Sequence, residues 1–329
     1  MGIKAPSGVK FELIKQALEQ SECALSVSEM CKIAGVSRSG YYNWIDSEDV
    51  RQRREAADRA DFELIVEAFR FRGYAKGARG ICMVLIRMSK PMNLKKVRRL
   101  MKKYHLVCPI RRVNPYRQQM RALHSDNVAD NLVKREFRKH GARKILLTDI
   151  TYLFYGNRNC YLSTIIDAYT REVLAYCLSE SLELGFVLET LAELTAKYGA
   201  ELDNETIVHS DQGCHYTSKA FIQALRDGEL LQSMSQKGVC WDNAPQESFF
   251  GHMKDEIADL IAKQPSFDRV RAVVDDWIDY YNNDRYQWDL MKLSPHEFYE
   301  YVTTGALPRE VAAYLHSSDA SEKSIHPRG

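Results

Sequence analysis

None of the eight cysteines (Cys23, Cys31, Cys82, Cys108, Cys160, Cys177, Cys214 and Cys240) stands in a C-x-x-C pair. Scattered in this way they fit reduced, mostly buried thiols rather than a disulfide frame. No run of 18 or more apolar residues occurs, which excludes a helical membrane span. The opening stretch, MGIKAPSGVKFELIKQ, lacks the apolar centre of a signal peptide, so a cytoplasmic location is expected. Internal repeats, low-complexity tracts and heptad runs are missing too. What remains is ordinary globular material: 329 residues, 45% hydrophobic and 27% charged, enough for two or three domains.

A net charge of +2 hides a strong asymmetry. Residues 51–143 carry 25 Lys/Arg against 8 Asp/Glu, or +17, whereas residues 144–329 carry 16 against 29, or −13. A basic segment joined to an acidic one points to a polyanionic partner for the basic part. Solvated helix faces are the plainer alternative.

Residues 11–46 read as helices. In SVSEMCKIAGVSRSGYYNWI, Ser26 and Glu29 form a capping box, Gly35 ends one helix and Ser37 caps the next. Helix, glycine turn and capped helix make the helix-turn-helix pattern, with Arg38 opening its second helix as a candidate DNA contact. A polar, then amphipathic helix is expected over 48–72, with Phe62, Ile65 and Phe69 on one face, and GYAKGARG breaks it. NLKKVRRLMKKYHL predicts another, capped by Asn93, with Leu94, Val97, Leu100, Met101 and Tyr104 inward. Its other face holds Lys95, Lys96, Arg98, Arg99, Lys102 and Lys103, cations that repel one another until an anion neutralises them. Residues 107–131, with Arg111 and Arg112, have no periodicity and read as an extended, phosphate-tracking linker.

From Lys144 the pattern changes. ILLTDITYLFY, CYLSTIIDAY and EVLAYCLS read as a three-stranded meander, followed by a helix with Leu184, Leu188, Leu191, Leu194 and Tyr198 on one stripe. TIVHSD and LLQSMS give two more strands around a helix near 217–227. Two long helices follow, near 243–262 and 266–282. Phe250, Met253, Ile257, Leu260 and Ile261 line the first; Phe267, Val270, Val274, Trp277 and Tyr281 line the second. SPHEFY starts a last capped helix, and residues 316–329 read as a polar tail. Antiparallel strands followed by strands alternating with helices describe a three-layer α/β domain, in the element order of a ribonuclease H-like fold.

Three acids stand out. Asp149 interrupts an apolar strand, where an unpaired carboxylate costs several kcal/mol. Asp211 directly follows a strand, where α/β sheets hold ligands. Glu247 falls in the first turn of a helix, with Lys254 seven residues on and about 20° away around the axis. Three carboxylates on two strands and a facing helix can hold hard divalent cations. The stretch VHSDQGCHYTS also offers His209, Cys214 and His215 as zinc ligands, although a structural zinc site needs about four ligands and no second close pair accompanies them.

TDITYL, HSDQGCHYTS, DNAPQESFFGHMKDE and YYNNDRYQWDLMKLSP resemble bacterial insertion-sequence transposases with a retroviral-integrase core, in particular the second-reading-frame product of insertion-sequence family three. Thirty-five residues separate Asp211 from Glu247, as in that family's D-D-35-E pattern. CKIAGVSRSGYYNWI and VADNLVKREF carry the likeness upstream, over roughly residues 25–300. Leu146 departs from it, where an aromatic residue is usual, as do Cys214 and His215, where small and amide-bearing residues are.

The resemblance implies a metal-binding catalytic triad of Asp149, Asp211 and Glu247, with Lys254 on DNA near the cleaved end. It implies two Mg²⁺ (or Mn²⁺) ions per site, nicking of element ends, and attack by the freed 3′-OH on a second phosphodiester. The implied partners are double-stranded DNA, a second copy at least, and an upstream-frame product bearing a helix-turn-helix and leucine zipper; the setting is the bacterial nucleoid. The expected organisation is a helix-turn-helix at 1–50, a basic helical DNA-binding module at 51–106, a linker at 107–140, a ribonuclease H-like integrase catalytic core at 141–302 and a tail at 303–329. A nuclease that cuts without joining, or a DNA-binding regulator on an inactive core, are the rival readings.

Overall fold

The computed structural model of the chain describes residues 5–19, 25–108, 129, 131–133, 140–235 and 244–318. The expectations for Arg111, Arg112, Cys23, Cys240 and Asn243, for most of the 107–140 linker and for residues 319–329 lie outside them. The chain divides into two units, Met1–Leu64 and Ile65–Gly329.

The first unit holds helices α1 (Ser7–Glu19), α2 (Val27–Ala34), α3 (Arg38–Asp46) and most of α4 (Glu48–Arg70). The capping box forms as the spacing predicts: Glu29 N–H donates to Ser26 Oγ (3.3 Å) and Ser26 N–H to Glu29 Oε2 (2.8 Å). Gly35 closes α2 at φ 65°, a left-handed conformation that a side chain would strain. Ser37 Oγ then accepts from Gly40 N–H (3.1 Å) to start α3. Phe11, Ile14, Met30, Cys31 and Tyr41 pack as the core of this unit.

The second unit opens with the end of α4, where Ile65 and Ala68 are buried and Phe69 only partly so; Phe62, in the first unit, is likewise half-buried. Next come α5 (Ala78–Arg87) and α6 (Leu94–Lys103). The sequence reading placed no element at α5. All six residues from Ile81 to Ile86 are buried, but Gly77 and Gly80 of GYAKGARG, read as a break, are the N-cap and a first-turn residue of this helix.

A five-stranded mixed sheet of order β3-β2-β1-β4-β5 forms the centre. The strands are β1 (Ile145–Tyr155), β2 (Arg158–Asp167), β3 (Val173–Ser179), β4 (Ile207–Ser210) and β5 (Leu231–Met234). The first three make the predicted antiparallel meander; β4 joins β1 in parallel and β5 joins β4 likewise. Both faces are covered, which is why the strands read as apolar runs. Helices α9 (Ala244–Ala262) and α10 (Phe267–Asn283) pack with Ile145, Leu147, Leu153 and Tyr155 on one face. Helices α7 (Leu184–Tyr198) and α8 (Lys219–Asp227) pack with Leu146 and Ile165 on the other.

Two stripes differ from expectation. In α7 the buried set is Phe186, Val187, Thr190, Leu191 and Leu194, whereas Leu184, Leu188 and Tyr198 are only half-buried: Phe186 and Val187 rotate the inward face. In α9, Leu260 is exposed, and its place inside is taken by Phe249 and Gln246. Helix α11 (Pro295–Thr304) has the predicted Ser294–Glu297 capping box. The segment expected to trail as a tail contains a further helix, α12 (Arg309–Ser318), whose Val311 is buried with Ile86 of α5 and Leu293. This helix carries few large apolar residues, so its sequence signal is weak.

Candidate active site

Strand β1 fixes the site. Its pairing with β4 runs to Leu147 opposite His209, so two residues further along each chain Asp149 comes level with Asp211. Across the other edge Asp149 pairs with Thr164 of β2. Thr164 Oγ1 accepts from Gln246 Nε2, and Gln246 is fully buried. That bond anchors the first turn of α9 beside Asp149 and puts Glu247, the next residue, at the rim of the sheet. Glu247 and Lys254 are both exposed on the flank of α9, as their seven-residue spacing requires. Gln246 went unnoticed in the sequence, although an amide on the apolar stripe of Phe250, Met253 and Ile257 is a visible signal.

The electrostatics tie these groups together. Burial first, and then the negative charges of Asp211 and Glu247, raise the Asp149 carboxyl to about 7. The Ile150 N–H, which donates to Asp149 Oδ1 (2.8 Å), and the Lys254 ammonium oppose the rise. Two carboxylates therefore crowd Asp149, and one ammonium partly offsets them. Among the described residues, no three His, Cys, Asp or Glu side chains form a ready-made metal cluster.

The loop after β4 shapes the Asp211 side. Gly213 N–H donates to Asp211 Oδ1 (2.9 Å), and a Cβ at Gly213 would meet the same oxygen at 2.9 Å. Glycine here makes room for the carboxylate rather than supplying a positive φ. His209 is fully buried inside β4, with Nδ1 2.9 Å from Ser233 Oγ of β5. Leu132 N–H donates to the same Ser233 oxygen (2.9 Å). His215 Nε2 lies 2.8 Å from the Leu182 carbonyl, which can only accept, so this nitrogen carries the proton and Nδ1 is left towards Cys214 Sγ at 3.7 Å. The two rings thus serve as ties to β5 and to the segment before α7. Cys214 is exposed.

The candidate DNA contacts fall in both units. Arg38 is exposed at the start of α3, 5.7 Å from the Tyr42 ring. On α6, Lys95, Arg98, Arg99, Lys102 and Lys103 are exposed and Lys96 is half-buried, while Val97 and Leu100 face inward.

Comparison with known proteins agrees with this architecture. The family described as Integrase core domain matches residues 139–240, and a second family of the same description matches 229–295. An HTH-like domain matches residues 55–113, which takes in the end of α4, α5 and α6 and lies downstream of the α2–Gly35–α3 turn. A 31 kDa protein of insertion element IS600 from Shigella sonnei is 31% identical over 82% of this chain and 97% of its own length. A transposase-like protein of Haemophilus influenzae is 32% identical over 64% of this chain and 94% of its own. Transposase InsF of insertion sequence IS3A from Escherichia coli is 29% identical over 85% and 96%. Among solved structures, the catalytic core domain of HTLV-2 integrase in complex with magnesium covers 49% of this chain and 99% of that one, with 12% identity and a TM-score of 0.40.

Proposed function

The chain belongs to the integrase-core transposases of insertion-sequence family three, and from that membership we propose that it nicks element ends and joins the freed 3′-OH to DNA. The observation that supports this reading is that the Asp149 carboxyl, level with Asp211 at one edge of the sheet, feels the negative charges of both Asp211 and Glu247.

The carboxylates suit a hard divalent cation. Mg²⁺ is commonly held by one or two carboxylates plus water and substrate phosphate, so a closed cage of protein ligands is not required. A cation would also relieve the repulsion that raises Asp149. Asp149 and Asp211 are the proposed principal ligands, with Glu247 completing the set from α9. When bound, two ions would activate the attacking oxygen and stabilise the leaving one.

The chain's own residues supply the rest. Gly213 leaves Asp211 free to swing its carboxylate towards the metal. Lys254 holds a phosphate flanking the reacting one. Arg38, the cations of α6, and Arg111 and Arg112 neutralise DNA phosphates. Both steps are in-line displacements at phosphorus: an oxygen of water, and then the 3′-OH, forms the new P–O bond while the opposite P–O bond breaks. No enzyme group is esterified, so catalysis rests on positioning and charge neutralisation. Two ends must be held together, which calls for at least a dimer, and an upstream-frame product can supply further contacts.

The test is a cleavage and joining assay on the element's own terminal repeats, with and without Mg²⁺. Mg²⁺-dependent nicks followed by joined product are expected. Nicks that never become joined product would leave a simple nuclease, and binding without any cleavage a regulator.

A further inference from the structure

A cavity of about 340 Å³ opens in the second unit between the start of α5 and helices α9 and α10. Glu256, which lines it, stands nine residues after Glu247, half a turn around α9, so the cavity lies on the other flank of that helix from the carboxylates. Three features of its wall favour an anion. Lys76 is only 6% exposed, and its ammonium donates to the carbonyls of Phe71 and Tyr74 (2.7 Å to the latter) without reaching a carboxylate among the described residues. The acids it senses, Glu256 and Asp284, are taken by Arg285 (2.8 Å) and Arg72 (3.4 Å). A buried cation with no counter-charge of its own is costly unless a ligand brings one. Gly77, the N-cap of α5, offers no side chain to the first-turn amides, and Arg79 adds an exposed guanidinium beside them. Tyr280 and Tyr286 also line the cavity. The volume is near the lower end for ligand pockets, yet more than a bare phosphate needs.

We propose that this cavity seats one phosphodiester of the bound DNA together with the sugar next to it, the phosphate on Lys76, Arg79 and the α5 amides, the sugar against Tyr280 and Tyr286. The site rests on the DNA-acting reading above, and it deepens that reading by adding a grip on the far flank of α9. A strand held there and at Lys254 is clamped on both sides of the helix that carries Glu247. The buried ammonium has its hydrogen bonds in place before DNA arrives, so little ordering is left to do on binding.

The test uses the full chain and reads binding, not catalysis. Fluorescence anisotropy with end DNA in Ca²⁺ is measured across a salt series for the wild type, Lys76→Met and Arg79→Ala. About tenfold weaker binding is expected for each variant, with the slope of log affinity against log salt smaller by about one. Single methylphosphonate substitutions should weaken the wild type at one particular phosphate and leave Lys76→Met indifferent there. Should Lys76→Met melt early, exposed Arg79→Ala gives the same readings alone. Wild-type affinity and slope in the folded variants would overturn the proposal. So would a Lys76-dependent thermal shift by inorganic phosphate alone with DNA binding untouched, because the source would then be free phosphate. Tight, Lys76-dependent binding by a chain that never cuts or joins would instead sink the catalytic reading and leave this one standing.

Discussion

Strand β1 has carboxylates gathered at two places, and the protein treats them in opposite ways. Just before the strand, Arg143 is buried among Asp167, Glu172 and Glu201, with guanidinium contacts of 3.3, 2.7 and 3.2 Å. The rings of Tyr299 and Tyr198 stack on it at 3.9 and 5.0 Å. Six residues along, about 20 Å at strand rise, Asp149 faces Asp211 and Glu247, with the exposed Lys254 partly offsetting them. One cluster holds its cation in the fold. The other also sets three carboxylates against one cation, but Asp211, Glu247 and Lys254 are exposed, where an outside partner can reach them. What separates the two clusters is access from solvent, not the count of charges.

The largest effects should separate the two clusters by what they damage. Asp149→Asn, Asp211→Asn or Glu247→Gln should each lower DNA joining by about a thousandfold or more, since a catalytic metal stabilises the transition state by several kcal/mol. Thermal stability without metal should hold or rise, because each substitution removes a repelling charge. A variant that joins DNA at the wild-type rate would exclude its residue from the triad.

Arg143→Met should do the reverse. It leaves the buried carboxylates of Asp167 and Glu172 without their cation, and losing one partner of such a set costs about 3–5 kcal/mol. Denaturant unfolding measures it. A cost below about 1 kcal/mol would mean that the network is no more than a surface ion pair.

The pH response offers a finer contrast. Asp149 has its folded pKa raised to about 7, far above the ordinary aspartate value of about 3.9. The folded state therefore holds the proton more tightly, and the stability this gives is complete below about pH 4 and lost as pH rises through about 7. Without metal, the melting temperature should fall between pH 5 and 8, and Asp149→Asn should flatten that fall. Burial raises Asp167 as well, so the variant is what isolates the Asp149 share. Mg²⁺ competes with the proton, so the rise in melting temperature that it causes should be larger at pH 8 than at pH 5.5. Equal Mg²⁺ shifts at the two pH values would break the link between Asp149 and the cation.

Much of this could be read from the residues in order. The meander, the existence of β4 and β5 and the long α9 announced themselves because strands buried on both faces and an amphipathic helix leave strong patterns. The three proposed acids stood out on different grounds: Asp149 interrupts an apolar strand, Asp211 follows one, and Glu247 opens a helix. Helix α5 was hidden by the glycines at its start, which read as a break, and α12 by a shortage of large apolar residues. Arg143 could not be singled out, since its partners lie 24, 29 and 58 residues away and nothing local distinguishes it from the other cations of the basic segment. His215 looked like a ligand; only the fold brings the Leu182 carbonyl against its ring.

The smallest expected effect tests how finely the Asp211 side is set. Gly213 has an ordinary backbone conformation, so Gly213→Ala should cost little stability, and its first-order effect is steric. The new methyl would stand 2.9 Å from Asp211 Oδ1, closer than a carbon and an oxygen can rest, and the carboxylate is the movable partner. Turning it weakens its bond from the Gly213 N–H and shifts its metal-facing oxygens by a fraction of an ångström. Disturbing the support of a metal ligand typically costs tenfold or more in metal affinity. The Mg²⁺ concentration giving half-maximal joining should thus rise by about tenfold, while saturating Mg²⁺ restores most of the rate. The Arg143 cluster contains no movable outside partner, so no added cation should rescue Arg143→Met in the same way. If Gly213→Ala left the Mg²⁺ requirement unchanged, Asp211 would be gripping the metal through the oxygen that does not face Gly213.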